Sequence, residues 1–333
     1  MVTIGNFKID AKVFMAPMSG CTDLSFRLIA REHGAKLCFF EMVDSNSLVY
    51  SPKKDADILM TTKDDNPIAG QLVGPDPEMM LKAAKVLIKN TNIKFLDINA
   101  ACPVKKIVKK KAGAYFLKEP KALYKIIKSF SSKLDLPITV KLRTGYLKMD
   151  IDNLVKIAKN CQKSGASAIF IHGRTQKQGY SGDIDYSAIK KVKQALNIPV
   201  FGSGNIMSPE LAKKMMDETG CDGVIAARGA LGNPWIFEDI EHYLKTGALP
   251  RPLSIETRVA SLKRHLEYID KYKSIHPSSK AGFMRKIALW YLKDFSGARR
   301  TRTMVNSVGT YGELVKLLGS IAEANPGIQP AAL

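Results

Sequence analysis

A single thiol stands where a predicted strand ends, in the stretch FLDINAACPVKK (95–106). Cys102 follows the apolar run that closes at Asn99, precedes Pro103, and borders a lysine-rich segment over 105–111. Nearby cations are expected to lower the pKa of this thiol, which could act as a nucleophile or as a general acid. The alternative is a small buried hydrophobic residue, which is what most free cysteines are.

A lysine lies inside another predicted strand, PITVKLR (137–143). A buried amine needs an anionic or electron-rich partner, and a reduced flavin ring or a buried carboxylate would each serve for Lys141. Gln71 and His172 stand at the ends of two further predicted strands. Gln71 could bond a ring edge or cap its strand, and His172 could transfer a proton or contact a ring.

Two glycine-rich stretches, GSGNI (202–206) and AARGALG (226–232), follow the last two predicted strands. Backbone N–H groups of loops at this position commonly bind phosphate in barrel proteins, and Arg228 would add a charged donor. Glycine also serves turns and close packing, so we base the prediction of a phosphate site on the pair of loops.

These residues depend on eight β-rich runs that alternate with amphipathic helical patterns. The predicted strands span 12–17, 37–42, 67–74, 94–100, 137–143, 168–173, 199–204 and 223–229. Helices predicted at 76–90, 150–165 and 208–220 begin with Asp or Ser and end with Gly or Asn. This alternation predicts an α/β fold with parallel strands, and eight units favour a closed (β/α)8 TIM barrel over an open sheet. The candidate residues then meet at the C-terminal ends of the strands.

The pattern changes after Pro250 and Pro252, beyond which helices are predicted at 255–274, 280–295 and 311–324. We therefore predict a barrel domain over 1–250 and a small all-helical domain over 251–333. The second domain holds 14 basic and 6 acidic residues, a net charge of +8.

The whole chain of 333 residues has a net charge of +20. This excess indicates a polyanionic partner, nucleic acid before membrane, although general lysine enrichment would also produce it. No apolar run approaches the roughly 20 residues that span a bilayer, and no secretory leader is recognisable. The five cysteines and five histidines lack CxxC and HExxH spacing. We expect a cytoplasmic monomer with no metal and no membrane partner.

In chain order, the motifs resemble those of the tRNA-dihydrouridine synthases, most of all the bacterial B-type branch. The motifs are APMSGCTD (16–23), GQLVG (70–74), DINAACPVKKIVKKKAGA (97–114), VKLRTG (140–145), IHGRT (171–175), YSG (180–182), GSGNI (202–206), ARGALGNPWIF (227–237) and MRKIALWYL (284–292). The resemblance covers nearly the whole chain and implies an FMN-dependent barrel with a helical tRNA-binding domain. In such an enzyme FMN N5 passes hydride to C6 of a uracil in tRNA, and NADPH or NADH reduces the flavin.

The resemblance also implies roles for individual residues. Cys102 would be the acid that protonates C5 of the uracil. The implied contacts of the flavin ring are Pro17, Met18, Ser19, Gln71, Lys141 and His172. The implied contacts of the phosphate end are Ser203, Gly204, Asn205, Ala227 and Arg228. The implied substrate contacts are Asn99, Arg174, Arg285 and Lys286.

Two positions depart from the family pattern: Ile287 replaces a frequent His, and Gln176 replaces a frequent Arg. Both positions are expected to concern RNA contact or the rim of the active site. One rival function is an FMN barrel that acts on a free pyrimidine, as in dihydroorotate or dihydropyrimidine dehydrogenases. The basic helical tail argues against it, because a free base needs no docking surface. The other rival is a non-catalytic RNA-binding protein, against which Cys102, Lys141 and the phosphate loops argue.

Overall fold

The computed structural model of the chain describes residues 1–293 and 298–324. The strands of this described part are β1 (Val2–Ile4), β2 (Phe7–Ile9), β3 (Val13–Met15), β4 (Cys38–Asp44), β5 (Ile68–Val73), β6 (Ile93–Asn99), β7 (Ile138–Arg143), β8 (Ala168–His172), β9 (Val200–Ser203) and β10 (Gly223–Ala226). Strands β3 to β10 form one sheet of parallel neighbours in the order β3-β10-β9-β8-β7-β6-β5-β4. A hydrogen bond of 3.0 Å from Met15 N to Leu37 O joins the two ends of this sheet. The predicted (β/α)8 barrel and its eight strands are confirmed.

The helices surround the barrel and continue beyond it. In the described residues they are α1 (Leu24–Glu32), α2 (Ser45–Tyr50), α3 (Pro52–Leu59), α4 (Pro77–Asn90), α5 (Lys105–Lys109), α6 (Lys121–Lys133), α7 (Ile151–Lys163), α8 (Tyr186–Ala195), α9 (Pro209–Thr219), α10 (Ile236–Thr246), α11 (Ile255–Tyr272), α12 (Pro277–Tyr291), α13 (Ala298–Ser307) and α14 (Tyr311–Ala324). The predicted caps Asp76, Asp150 and Ser208 accept hydrogen bonds from the first turns of α4, α7 and α9. None of these helices is long and apolar enough to cross a bilayer.

The N-terminal end of the barrel is filled by aromatic side chains. Phe170 stacks on Phe201 with ring centroids 4.8 Å apart, and Phe39 meets Phe95 edge to face at 5.5 Å. The antiparallel pair β1–β2, which the strand pattern did not predict, packs Ile4 into this same buried cluster. Closure of this end leaves the C-terminal ends of the strands as the accessible mouth.

Helices α11 to α14 share a second buried cluster, which includes Leu262, Leu266 and Tyr291. The cluster reaches back to the barrel, because Trp235 before α10 packs against Tyr291 and His265 stacks on Phe26 of α1. Helix α13 was not predicted. Positions 294 and 295 of the predicted helix 280–295, like 325–333 of the predicted second domain, lie outside the described residues. The division of the chain near residue 250 stays a prediction.

Candidate active site

A cavity of about 560 Å³ opens at the C-terminal ends of the barrel strands. Its wall includes every residue expected to contact a cofactor, together with Asn99 and Cys102. These expected residues are Pro17, Met18, Ser19, Gln71, Lys141, His172, Ser203, Gly204, Asn205, Ala227 and Arg228. Residues predicted from seven separate stretches of sequence are therefore brought to one place, and their individual roles stay predictions.

The glycine-rich loops after β9 and β10 allow a close backbone approach. Gly204 has a φ of +121°, and a Cβ there would collide with Ile184, while a Cβ at Gly229 would collide with the Ile206 carbonyl. Asn205 is held in the left-handed region at a φ of +51°. Arg228 lies beside these loops and lines the cavity. Backbone N–H groups of such loops, together with a guanidinium, are suited to bind an anion.

Arg174 is 2% exposed and lies outside the cavity wall. Its Nη2 donates to Asn205 Oδ1 at 3.0 Å and to Gly182 O at 2.6 Å. Its Nη1 is buried without a hydrogen-bond partner in the described structure. The predicted substrate contact is thus placed behind the loop, where it supports Asn205.

His172 presents a buried polar atom to the cavity. Its Nδ1 is 3.4 Å from Ser203 Oγ, and its Nε2 has no hydrogen-bond partner among the described residues. Burial, with the charge of Lys141 next in importance, lowers the pKa of His172 to about 2. The imidazole is therefore neutral, and Nε2 is available to a ligand.

Lys141 lies next to a buried carboxylate that is already engaged. Asp97 Oδ1 accepts from Thr139 Oγ1 and Asp97 Oδ2 accepts from Gln71 Nε2, both at 2.7 Å. Burial lowers the pKa of Lys141 to about 8, a shift that Arg143 increases and Asp97 opposes. The Lys141 amine thus lines the cavity and loses its proton more readily than an exposed lysine does.

Cys102 lies on a short segment after β6, which we call the cysteine loop (residues 99–104). Its backbone N donates to Asn99 Oδ1 at 2.8 Å, and its carbonyl accepts from Ala114 N at 3.0 Å. Gln176, one of the two departures from the family pattern, donates from Nε2 to Pro103 O at 3.1 Å. The thiol is half-buried and faces the cavity from a loop that is held on several sides.

The expectation that lysines lower the pKa of this thiol is wrong. Burial raises the pKa of Cys102, and the opposing influences are a hydrogen bond from the backbone of Val104 and the charge of Arg143. Lys105 and Lys109 are exposed, so water screens their charge from the thiol. Cys102 therefore stays protonated at neutral pH, which suits an acid and disfavours a nucleophile.

The cavity residues that had not been proposed as site residues include Cys21, Arg143 and Tyr180. Tyr180 is exposed, and the guanidinium carbons of Arg143 and Arg228 each lie 5.5 Å from its ring centroid. Arg143 donates to the Ala101 carbonyl at 2.6 Å and so supports the cysteine loop. The position of Arg143 at the end of its strand was a usable signal, and Tyr180 opens the YSG motif (180–182), to which no role had been given.

The two residues predicted to contact RNA from the C-terminal region lie on α12, outside the cavity. Lys286 is exposed, and its Nζ donates to Gly20 O at 3.0 Å. Arg285 is half-buried and donates to Val308 O. Ile287 is buried in the helical cluster, so the expectation that this departure concerns direct RNA contact or the rim is wrong. No group of three or more His, Cys, Asp or Glu in the described ranges could hold a metal ion.

Comparisons with known proteins identify the family of the chain. The family model described as dihydrouridine synthase matches residues 14–324. tRNA-dihydrouridine synthase B of Vibrio vulnificus is 35% identical over 305 residues, which cover 92% of this chain and 94% of that protein. The Pseudomonas syringae pv. tomato protein of the same name is 36% identical over 306 residues, covering 92% and 89%. The probable tRNA-dihydrouridine synthase 1 of Synechocystis is 35% identical over 315 residues, covering 95% and 87%.

Solved structures show the same barrel at low sequence identity. The old yellow enzyme from Trypanosoma cruzi superposes with a TM-score of 0.56 at 13% identity, over 82% of this chain and 97% of that one. The old yellow enzyme homologue from Zymomonas mobilis gives 0.53 at 14% identity, over 77% and 94%. These likenesses concern the fold alone. The family match over nearly the full length, together with the relatives above 30% identity, shows that the chain belongs to the dihydrouridine synthase family.

Proposed function

We propose that the chain reduces the C5=C6 bond of a uridine in tRNA to 5,6-dihydrouridine, with FMN as its flavin and NADPH or NADH as reductant. The observation that carries the proposal is the half-buried Cys102 thiol, which faces the cavity at the strand ends. Burial keeps this thiol protonated, as a proton donor must be. The names of the curated relatives support tRNA as the substrate.

The cavity residues fit a flavin mononucleotide. The unpartnered Nε2 of His172 and the amine of Lys141 offer hydrogen-bonding groups to a polar ring. The loop residues Gly204 and Gly229, which line the cavity, and the guanidinium of Arg228 offer a phosphate site. We expect Pro17, Met18, Ser19 and Gln71 to complete the ring contacts, and Ser203, Asn205 and Ala227 to complete the phosphate contacts.

When bound and reduced, FMN supplies a hydride to C6 of the uracil ring. Addition at C6 leaves an enolate-like anion, so C5 must receive a proton. The Sγ–H bond of Cys102 breaks, its proton goes to C5, and the resulting thiolate recovers a proton from solvent. The exposed Tyr180 ring at the rim offers an aromatic face to a base that has left its stack.

A uridine within folded tRNA must be extruded to reach the cavity. The cations of the C-terminal helices, including Lys286, and the lysines over 105–111 are the proposed contacts for the RNA backbone. A monomeric state, a cytoplasmic location and the choice between NADPH and NADH stay predictions.

The proposal is tested on purified protein with three substrates under one set of conditions: unmodified tRNA, free uracil and free orotate. We expect released FMN to be identified by mass spectrometry, and NADPH oxidation without oxygen to depend on tRNA. The tRNA should gain two hydrogens on a uridine, and tRNA that already carries the modification is the matched control. Reduction of orotate or uracil in place of tRNA would favour the small-pyrimidine rival. Absence of flavin would favour the RNA-binding rival.

A further inference from the structure

The cysteine loop is anchored to a buried carboxylate by a continuous row of hydrogen bonds. The row begins at Asp97, which is fully buried on β6 and accepts from Thr139 and Gln71. Gln71 Oε1 in turn accepts from Asn99 Nδ2 at 2.8 Å. The side chain of Asp97 is therefore joined to Asn99, the first residue of the cysteine loop, through one glutamine.

Asn99 passes the connection to the backbone of the loop. Its Oδ1 accepts from Ala101 N at 3.0 Å and from Cys102 N at 2.8 Å. Its Nδ2 faces Gln71 Oε1 and also lies 3.2 Å from Met42 Sδ. Both ends of this amide are thus engaged by protein atoms, and the oxygen end sets the turn that carries the thiol.

The row has a fixed direction, because an ionised carboxylate can only accept hydrogen bonds. The carboxylate of Asp97 obliges Gln71 to turn its NH2 group inward and its oxygen towards Asn99. Asn99 must then turn its NH2 group to Gln71, which leaves its oxygen for the two N–H groups of the loop. Neither amide could be reversed without placing two acceptors, or two donors, against each other in a buried site.

We propose that Asp97 is a positioning residue for the proton donor, because the acceptor oxygen that it presents to Gln71 fixes the orientation of the two amides that hold Cys102. The role of Cys102 as proton donor rests on the proposed function. The claim that Asp97 orients the cysteine loop rests on the hydrogen bonds alone. Burial raises the pKa of Asp97 to about 6, against the opposing hydrogen bonds of Thr139 and Gln71 and the charge of Lys141. The carboxylate is therefore ionised at pH 8, where the test is made.

The test reverses the direction of the row. Asn99→Asp alone places acceptor against acceptor, either between position 99 and Gln71 or, if Gln71 turns over, between Gln71 and Asp97. Adding Asp97→Asn removes this conflict, because the new amide can donate to Gln71, whose NH2 group then donates to the new carboxylate. Asp97→Asn alone keeps the original direction, since its amide oxygen can accept from Gln71 and its NH2 group can face Thr139 Oγ1.

The readout is hydrogen exchange of the Ala101 and Cys102 amides in the flavin-loaded protein, with the amides of β10 as internal control. We expect exchange in Asn99→Asp to be about tenfold faster than in the unaltered protein, as the loss of one buried hydrogen bond implies. The double variant and Asp97→Asn should both stay within about threefold of the unaltered protein. A double variant that exchanges as fast as Asn99→Asp would overturn the proposal, because a merely structural role predicts additive damage.

Two further measurements test the proposal if the first variants do not fold or if hydrogen exchange alone is ambiguous. If Asn99→Asp does not fold, recovery of folded protein in the double variant supports the row. If neither folds, Gln71→Met decides, because faster exchange at Ala101 and Cys102 is then expected and unchanged exchange would refute the proposal. In the kinetic arm, Asn99→Asp should slow flavin reoxidation by tRNA more than flavin reduction by NADPH. If the unaltered protein does not act on tRNA, the proposed function fails while hydrogen exchange still tests the row.

Discussion

Two loops border the cavity, and only one of them is also tied to the C-terminal helices in the described structure. The cysteine loop is tied to the barrel interior by the buried amides of Asn99 and Gln71. The loop after β3 (residues 16–23), which we call the rim loop, is tied to the C-terminal helices. Lys273 of the α11–α12 connection pairs with Asp23 at 2.8 Å, and Lys286 of α12 donates to Gly20 O.

From this difference we infer that the cysteine loop serves the chemistry and that the rim loop serves tRNA binding. Buried hydrogen bonds between neutral amides and a carboxylate are little affected by salt or by a distant ligand. An exposed lysine such as Lys286 can exchange its carbonyl partner for a phosphate when RNA arrives. We therefore expect the cysteine loop to keep its geometry in free and bound protein, and the rim loop to respond to tRNA.

The largest predicted effect comes from comparing the two cavity cysteines, because the cysteine loop carries Cys102 and the rim loop carries Cys21. Cys102→Ala should lower dihydrouridine formation on tRNA by about 100-fold or more, since it removes the proposed general acid. Bound flavin and its reduction by NADPH should be retained. Single-turnover product analysis on unmodified tRNA measures the loss.

Cys21→Ala is the matched control, because Cys21 also lines the cavity but belongs to the rim loop. This variant should form dihydrouridine within about threefold of the unaltered rate, as expected for a side chain that transfers no proton. Two results would contradict the proposal that the cysteine loop carries the acid. One is normal turnover by Cys102→Ala, and the other is an equally large loss of turnover in Cys21→Ala.

Charge reversal on the docking side should have the next largest effect. Lys286→Glu should weaken tRNA binding about tenfold, because it removes one proposed phosphate contact and adds a repulsion. Oxidation of NADPH by oxygen should not change, since that reaction needs no RNA. Lys286 is a better position for this substitution than Arg285, because Arg285 also bonds Val308 O and so supports the fold between α13 and α14.

Fluorescence anisotropy with labelled tRNA measures this effect, and Lys191→Glu on the outer helix α8 is the control for net charge. Equal affinity in Lys286→Glu and Lys191→Glu would remove the C-terminal helices from the binding surface.

The smallest predicted effect concerns a secondary anchor of the cysteine loop. Gln176→Ala removes the bond from Nε2 to Pro103 O, so the rate of the tRNA-dependent step should fall about threefold, as for a partly exposed hydrogen bond. The exposed neighbour Lys177→Ala should leave that rate unchanged. A loss of 100-fold in Gln176→Ala would mean that the loop depends on the rim more than on the barrel interior.

The barrel could be predicted from the sequence because each strand and helix has its own short sequence pattern and these patterns repeat along the chain. Each strand is a short apolar run, and helices such as α4 and α9 carry their own caps in Asp76 and Ser208. The wall of the cavity followed from one rule, that strand ends meet at one face. The β1–β2 pair was missed because its strands, VTI and FKI, each contain a polar residue and so form no apolar run.

The parts that could not be predicted depend on contacts between distant positions. The pKa of Cys102 was expected to fall because of its lysine neighbours in sequence, but burial by the folded cavity decides the direction. Arg174 follows a strand end as the site residues do, yet it points behind the loop to Asn205. The link between Asp97 and Asn99 through Gln71 crosses two strands, so no single stretch of sequence contains it.

The central claim is that the cavity transfers a hydride and the Cys102 proton to a uracil in tRNA. The most direct measurement mixes photoreduced protein with unmodified tRNA in the absence of oxygen and follows flavin absorbance and nucleoside composition together. We expect the flavin to be reoxidised within a single turnover while one equivalent of dihydrouridine appears. A flavin that stays reduced with tRNA, and is reoxidised by free uracil or orotate, would contradict the claim.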